Sequence, residues 1–180
     1  LLSLINDILD FSKIEASKVE LEDIEFSLTE LLDEVCYLQS EPASRRNLTL
    51  LNIYDIAVPT LLVGDPTKIR QVVMNLVSNA IKFTHQGQIT IRAEAKPIIS
   101  SANLIDTVIE VKDTGIGMDA LTQKKVFEAF TQADASTTRE YGGTGLGLSI
   151  SRQYIDLMGG SIDISSKVGD GTTIRVTLPL

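Results

Sequence analysis

The 180-residue sequence has one cysteine, one histidine and too few basic residues to balance its acids. Each shortage removes a class of protein. Cys36 alone forms neither an intramolecular disulfide nor a cysteine metal quartet, which fits a reducing compartment and a small buried side chain. Sixteen Lys and Arg against 24 Asp and Glu give a net charge of −8, so no polyanion-binding surface and no nucleic-acid partner is expected. No apolar run approaches the roughly 20 residues that span a bilayer, and the opening Leu1-Leu2-Ser3-Leu4 lacks the basic flank of a signal peptide. Internal repeats and low-complexity tracts are absent too. What is present is 43% hydrophobic residues in a length that favours one globular domain with a short appendage. The chain starts mid-pattern without an initiator methionine and reads as a piece of a longer polypeptide.

Apolar residues at Leu1, Leu4, Ile5, Ile8 and Phe11 form a stripe near the a/d spacing of a helix pair and predict the end of a long helix over residues 1–19. A short strand is expected at 23–26. Ser27 followed by Glu30 is a capping-box pattern that opens a helix over 27–39. The run 48–54 reads as a buried strand. Asp65-Pro66 supplies an N-cap and a proline at the first helical position, starting a helix that reaches Phe83. Strands at 88–95 and 106–112 form a hairpin, followed by a short helix at 120–127. The polar stretch 131–143 has few apolar anchors and is expected to move. A helix over 144–158 and strands at 161–165 and 172–178 complete the chain. Tight turns between strands exclude a purely parallel sheet. The fold class is α/β, a two-layer sandwich with a mixed, largely antiparallel sheet plus a short N-terminal helix.

Three segments carry chemistry. Gln71, Asn75, Asn79 and Lys82 recur at helical spacing on one face of the third helix, among Val72, Val73, Leu76 and Ile81. Buried amides are costly without partners, so a polar ligand facing them would account for the stripe, with an Asn oxygen as a hard donor for Mg²⁺ and Lys82 towards phosphate. A solvated helix face has the same pattern. Asp113-Thr-Gly-Ile-Gly117 follows a strand; its carboxylate is suited to accept from a nucleobase amino group, or to cap a tight turn. Gly142-Gly-Thr-Gly-Leu-Gly147 leads directly into a helix, whose free N–H groups and positive dipole end favour phosphate. Neither dinucleotide-fold nor P-loop glycine spacing is met.

The segments NLVSNAIKF (75–83), DTGIG (113–117), FEAF (127–130) and GGTGLGL (142–148) resemble, in order and spacing, the N, first glycine, phenylalanine and second glycine boxes of histidine kinases. Phe11-Ser-Lys-Ile-Glu15 with its preceding stripe resembles the end of a hybrid sensor kinase's dimerisation helix. The resemblance implies two parts, residues 1–20 from that helix and 21–180 as the ATP-binding domain of the gyrase, heat-shock chaperone, histidine kinase and mismatch-repair superfamily. It implies Asn79 as principal Mg²⁺ ligand, Asn75 supporting the ion directly or through water, Lys82 on phosphate and Phe83 beside the ribose or base. It also implies Asp113 on the adenine amino group, with Gly115 and Gly117 shaping the pocket and Thr172 assisting through water. Gly143, Thr144, Gly145, Leu146 and Gly147 would wrap the phosphates. Residues 131–141 correspond to the ATP lid, with Arg139 neutralising charge on the transferred group. Phe127 and Phe130 would anchor the lid hinge; Ala129 departs from the proline common there in the family.

In the hydrolysing branches an acidic residue lies one turn before the metal-binding asparagine. Asn75 occupies that position, and an amide is no general base, so transfer to a separate nucleophile is favoured over hydrolysis. His85, in a turn, lacks the helical setting and following acid of a phosphoacceptor. The acceptor is therefore expected on an adjacent dimerisation domain, in a homodimeric, cytoplasmic part of a membrane-anchored sensor that hands phosphate to a receiver domain or response regulator. The competing readings are a nucleotide sensor without transfer and an ATP-hydrolysing member of the same fold.

Overall fold

The computed structural model describes residues 2–16, 19–97, 104–129 and 145–180. Helix α1 covers Leu2–Glu15, strand β1 Ile24–Phe26, helix α2 Leu28–Arg45, strand β2 Leu48–Tyr54, strand β3 Leu62–Gly64 and helix α3 Pro66–Phe83. Strands β4 (Gly87–Pro97) and β5 (Ile105–Asp113) follow, then helix α4 (Ala120–Lys125), helix α5 (Gly147–Leu157) and strands β6 (Ser161–Lys167) and β7 (Gly171–Pro179). Five strands form one sheet in the order β2-β4-β5-β7-β6, parallel only between β2 and β4. β1 and β3 make a separate antiparallel pair. The mixed, largely antiparallel sandwich expected from the sequence is the one observed.

One sheet face and the helices share a single core. Ile89, Ile91 and Ala93 of β4, Ile109 and Val111 of β5, and Ile174, Val176 and Leu178 of β7 are buried in register beneath α2, α3 and α5. α3 contributes Val72, Val73, Leu76 and Ile81, the apolar residues expected from the sequence, together with Ile69, Val77 and Ala80. Each such side chain is worth about 1.5–3 kcal/mol of burial, so this face fixes the helix axis and aims its polar face outward. The opposite sheet face is polar, with Arg175 paired to its cross-strand neighbour Glu110 at 2.6 Å.

Several boundaries differ from expectation for identifiable reasons. α2 continues past Gln39 and through Pro42 to Arg45. Proline removes one helical hydrogen bond, but Ala43 beyond it is 1% exposed in the core, and packing carries the helix to Asn47, whose φ of 55° ends it. β2 is an edge strand with alternating burial, not a buried run; Leu51 and Ile53 face outward. β3, three residues opposite β1, had no pattern long enough to read. α1 ends at Glu15 and α4 at Lys125, earlier than residues 19 and 127.

α1 lies against the domain. Asp10 accepts from Gln71 Nε2 on α3 at 2.7 Å and is hydrogen-bonded to Tyr154 of α5. Burial first, and then Asp10, push the Tyr154 phenol up to about 12. Lys68 lies over the Tyr154 ring, 5.5 Å from its centroid.

Candidate nucleotide site

Three backbone features converge beside the polar face of α3. Asp65 caps α3 by accepting from Lys68 N at 2.9 Å, and Arg46 donates to the carbonyls of Ile81 and Lys82 at the other end. Both ends are therefore tied down. Asn75, Asn79 and Lys82, from the stripe that the spacing predicted, stand half-buried on α3, as does Phe83 at its end. Gln71, the fourth member of that stripe, is drawn instead to Asp10 and does not join them.

The amides form a directional chain. Asn79 Nδ2 donates to Asn75 Oδ1 at 3.3 Å, and Asn75 Nδ2 donates to Ser151 Oγ on α5 at 2.9 Å. Gly147, at the start of α5, lies so close that a Cβ there would be 2.4 Å from Asn75 Oδ1. A bare Cα is what lets the glycine loop approach the α3 amides. Among the described residues no side chain caps α5, and Gly145 has a φ of 70° that suits glycine. Lys82 has its ammonium 4.8 Å from the centroid of the Phe83 ring, and burial lowers its pKa.

Asp113 ends β5 on the core-facing side and is 8% exposed. Its Oδ1 accepts from Gly115 N at 2.8 Å and from Thr172 N at 3.2 Å. Among the described residues no donor reaches Oδ2. Burial raises the carboxyl pKa, and the two backbone donors oppose that rise. The turn is packed without room for side chains: a Cβ on Gly115 would be 2.4 Å from Phe83 O, one on Gly117 2.0 Å from Lys167 O, and one on Gly171 2.1 Å from Asp113 O. Ile116 N also donates to Phe83 O at 3.1 Å, so the turn is clamped to the end of α3. Thr172 lies at the same turn: its backbone N–H donates to Asp113 Oδ1, and its hydroxyl is 2.9 Å from Ser166 Oγ.

On one side of α3, Asn75 and Asn79 meet the start of α5 at Gly147, next to Gly145 and the buried Leu146; at its C-terminal end, Lys82 and Phe83 adjoin the turn that holds Asp113, Gly115, Gly117 and Thr172. Arg139, Gly143, Thr144 and Phe130 lie outside the described residues. Phe127 packs on the core with the Arg152 guanidinium 5.5 Å from its ring centroid. Ser151, Ser166 and Gln123 were not singled out from the sequence. Gln123 Nε2 donates to Ser166 O at 2.9 Å and its Oε1 accepts from Ser166 N, docking α4 on β6 like one more strand residue. A buried serine inside an apolar helix, such as Ser151 between Ile150 and Tyr154, was the available signal. Among the described residues there is no group of three or more His, Cys, Asp or Glu placed to hold a metal.

Residues 64–180 match the family described as histidine kinase-, DNA gyrase B-, and HSP90-like ATPase. The chain is 44% identical over its full 180 residues to the sensor protein GacS of Pseudomonas syringae pv. syringae, covering 20% of that protein. It is 43% identical over 173 residues, 96% of this chain and 19% of the relative, to the signal transduction histidine-protein kinase BarA of Escherichia coli strain K12. The chain thus spans about a fifth of the length of these curated relatives. The crystal structure of full-length ShkA in complex with AMPPNP superimposes with a TM-score of 0.85 at 30% identity, over 99% of this chain and 35% of that one. A family match over most of the chain, including α3, α5 and the β5–β7 turn, establishes that this protein belongs to the histidine kinase-, DNA gyrase B- and HSP90-like ATPase family.

Proposed function

We propose that residues 21–180 hold ATP with Mg²⁺ and pass the γ-phosphoryl group to a histidine on an adjacent dimerisation domain, as the catalytic module of a hybrid-type sensor histidine kinase in two-component signalling. Asp113 carries the reading. A buried carboxylate whose Oδ1 is taken by two backbone N–H groups while Oδ2 is not has one acceptor left, suited to an adenine amino group. Asn79 Oδ1 accepts from no described residue, and an amide oxygen is a donor Mg²⁺ takes when phosphate oxygens and waters complete its octahedron, so the side chains fit the ion. When bound, Mg²⁺ supplies charge neutralisation and a template at the phosphates.

The chain's own groups do the rest. The positive dipole end of α5, which begins at Gly145, Leu146 and Gly147, favours phosphate there. Lys82 adds a cation whose charged form an approaching phosphate would favour, offsetting its burial. Phe83 lines the nucleotide site, and Arg139, Gly143 and Thr144 complete the phosphate contacts by family resemblance. Asn75 is an amide held by Ser151 and Asn79; with no carboxylate in its place to activate water, transfer is favoured over hydrolysis. Residues 1–20 are read as the end of the dimerisation helix, with α1 leaving Ile5, Ile8 and Leu9 exposed for a partner helix. The full protein would then be a homodimer, a membrane-anchored sensor with this part cytoplasmic, delivering phosphate to a receiver domain or response regulator.

Incubating the chain with γ-labelled ATP and a separately purified dimerisation domain tests this. Acid-labile phosphohistidine should appear on the added domain and not on this chain. Stoichiometric label on the isolated chain would contradict the acceptor assignment, steady phosphate release without acceptor would favour a hydrolase, and binding without transfer would favour a sensor module.

A further inference from the structure

We infer that Gln123 is a positioning residue for the nucleobase end of the site, holding in place, through Ser166 and Thr172, a backbone N–H that orients the Asp113 carboxylate; the inference rests on the base-binding role proposed for Asp113 above. α4 has no buried residue of its own, so apolar burial does not decide where it sits on the sheet. Gln123 does. Its Oε1 accepts from Ser166 N at 3.2 Å, while its Nε2 donates to Ser166 O at 2.9 Å, Met118 O at 3.0 Å and Asp119 O at 3.3 Å. The amide has one workable orientation, because a backbone N–H only donates and the carbonyls only accept.

Ser166 lies on β6, an edge of the sheet, and faces Thr172 of β7 in register. The Ser166 N–H goes to Gln123 and the Thr172 N–H to Asp113 Oδ1 at 3.2 Å. The pair is therefore a position of the ladder whose N–H groups point away from each other and whose side chains come closest, with the two hydroxyl oxygens 2.9 Å apart. Ser166 Oγ also accepts from Met118 N at 2.8 Å and lies 2.9 Å from Gly171 O; the coupling requires these contacts, not a particular direction of the hydroxyl protons. A continuous path thus leads from the Gln123 amide through Ser166 and Thr172 to Asp113 Oδ1. The Thr172 donor, with Gly115 N, is what occupies Oδ1 and leaves Oδ2 for a base. The tip of the β6–β7 turn is held separately, by Gly169 N donating to Ile116 O at 2.8 Å, so losing the Gln123 amide should shift Thr172 without releasing the turn.

The test titrates the full chain with ATP and with the triphosphate of purine riboside, which lacks the amino group and keeps the phosphates, for wild type, Gln123→Met, Ser166→Ala, the double variant and Asp113→Ala. Methionine keeps the length of the side chain without its amide. Gln123→Met should lose about tenfold in ATP affinity, the scale of one hydrogen bond to a charged group, while affinity for the purine nucleotide stays within about twofold. Ser166→Ala should show the same base-selective loss, and the double variant little more than either, because the two act on one path. In the nucleotide-free chain the Thr172 amide proton should shift upfield in Gln123→Met, with that of Gly115 nearly still. Should Ser166→Ala misfold, Gln123→Met carries the comparison. Full ATP affinity in either single variant, an equal loss with both nucleotides, additive losses in the double variant or an unmoved Thr172 amide would overturn the inference. An ATP preference that is absent in wild type or survives Asp113→Ala would remove the base assignment, and this inference with it.

Discussion

Asp113 shows at the scale of one residue how the site is set against the stability of the fold. Burial is the main influence on its carboxyl and raises its pKa above the ordinary 3.8. A raised folded-state pKa means the folded chain favours the protonated form, so this contribution to stability is fully present below the ordinary value and is lost as pH rises through the folded one. At neutral pH the charged, buried carboxylate is a net cost. Asp113→Asn should therefore melt above wild type at pH 7 without nucleotide, the difference shrinking as pH falls below the carboxylate range, while ATP affinity drops. A lower melting temperature for the variant at pH 7 would contradict this. Gly171 is the counterpart in shape: at φ 94° with a Cβ 2.1 Å from Asp113 O, Gly171→Ala should cost about 2–4 kcal/mol, read from the urea unfolding midpoint. Asp113, Asn75 and Asn79 were legible in the sequence because each breaks a local rule, a carboxylate closing an apolar strand or amides within an apolar helix. Thr172 was named only through the family resemblance, and Ser151, whose hydroxyl oxygen accepts from Asn75 Nδ2, is a common residue type that only the three-dimensional pairing marks out.

Helices and strands were legible where period and cap agreed. α3 had both, with Asp65 at its cap and an apolar face at the helical period, and it formed over the residues expected. α2 was stopped short in the reading because proline penalises a helix locally, whereas buried Ala43 is a tertiary gain that no window of sequence contains. β3 is stabilised by pairing with β1 across about 40 residues of chain, a non-local effect. The docking of α1 was also illegible, since Gln71 looked like a member of the ligand stripe and turned out to hold Asp10. That contact predicts a local effect. Asp10→Ala should leave the sandwich folded but raise amide exchange across residues 2–15, by an amount corresponding to about 1–3 kcal/mol for hydrogen bonds to a charged acceptor. Unchanged exchange in α1 would show that its apolar contacts alone hold it.

The molecule as a whole is a scaffold that carries its polar site on one rim of an apolar sandwich. The core face of the sheet fixes α3 and α5, and the glycine turns let backbone approach backbone where β5, β7 and α3 meet. The Asn75 to Ser151 hydrogen bond ties α3 to α5. Under the proposed function, a chain with a net charge of −8 could still take an anionic ligand, because the favourable potential would come locally from the helix dipole of α5, Lys82 and a bound cation and not from overall charge. Phosphoryl transfer to a separate domain follows from that site only if the site holds Mg-ATP. The most direct measurement is therefore a calorimetric titration of the chain with ATP in Mg²⁺, alongside Asp113→Ala and Asn79→Ala. Wild type should bind, and each variant should lose about tenfold or more in affinity, with the Asn79→Ala loss disappearing when Mg²⁺ is chelated. Affinity unchanged in both variants would contradict the account.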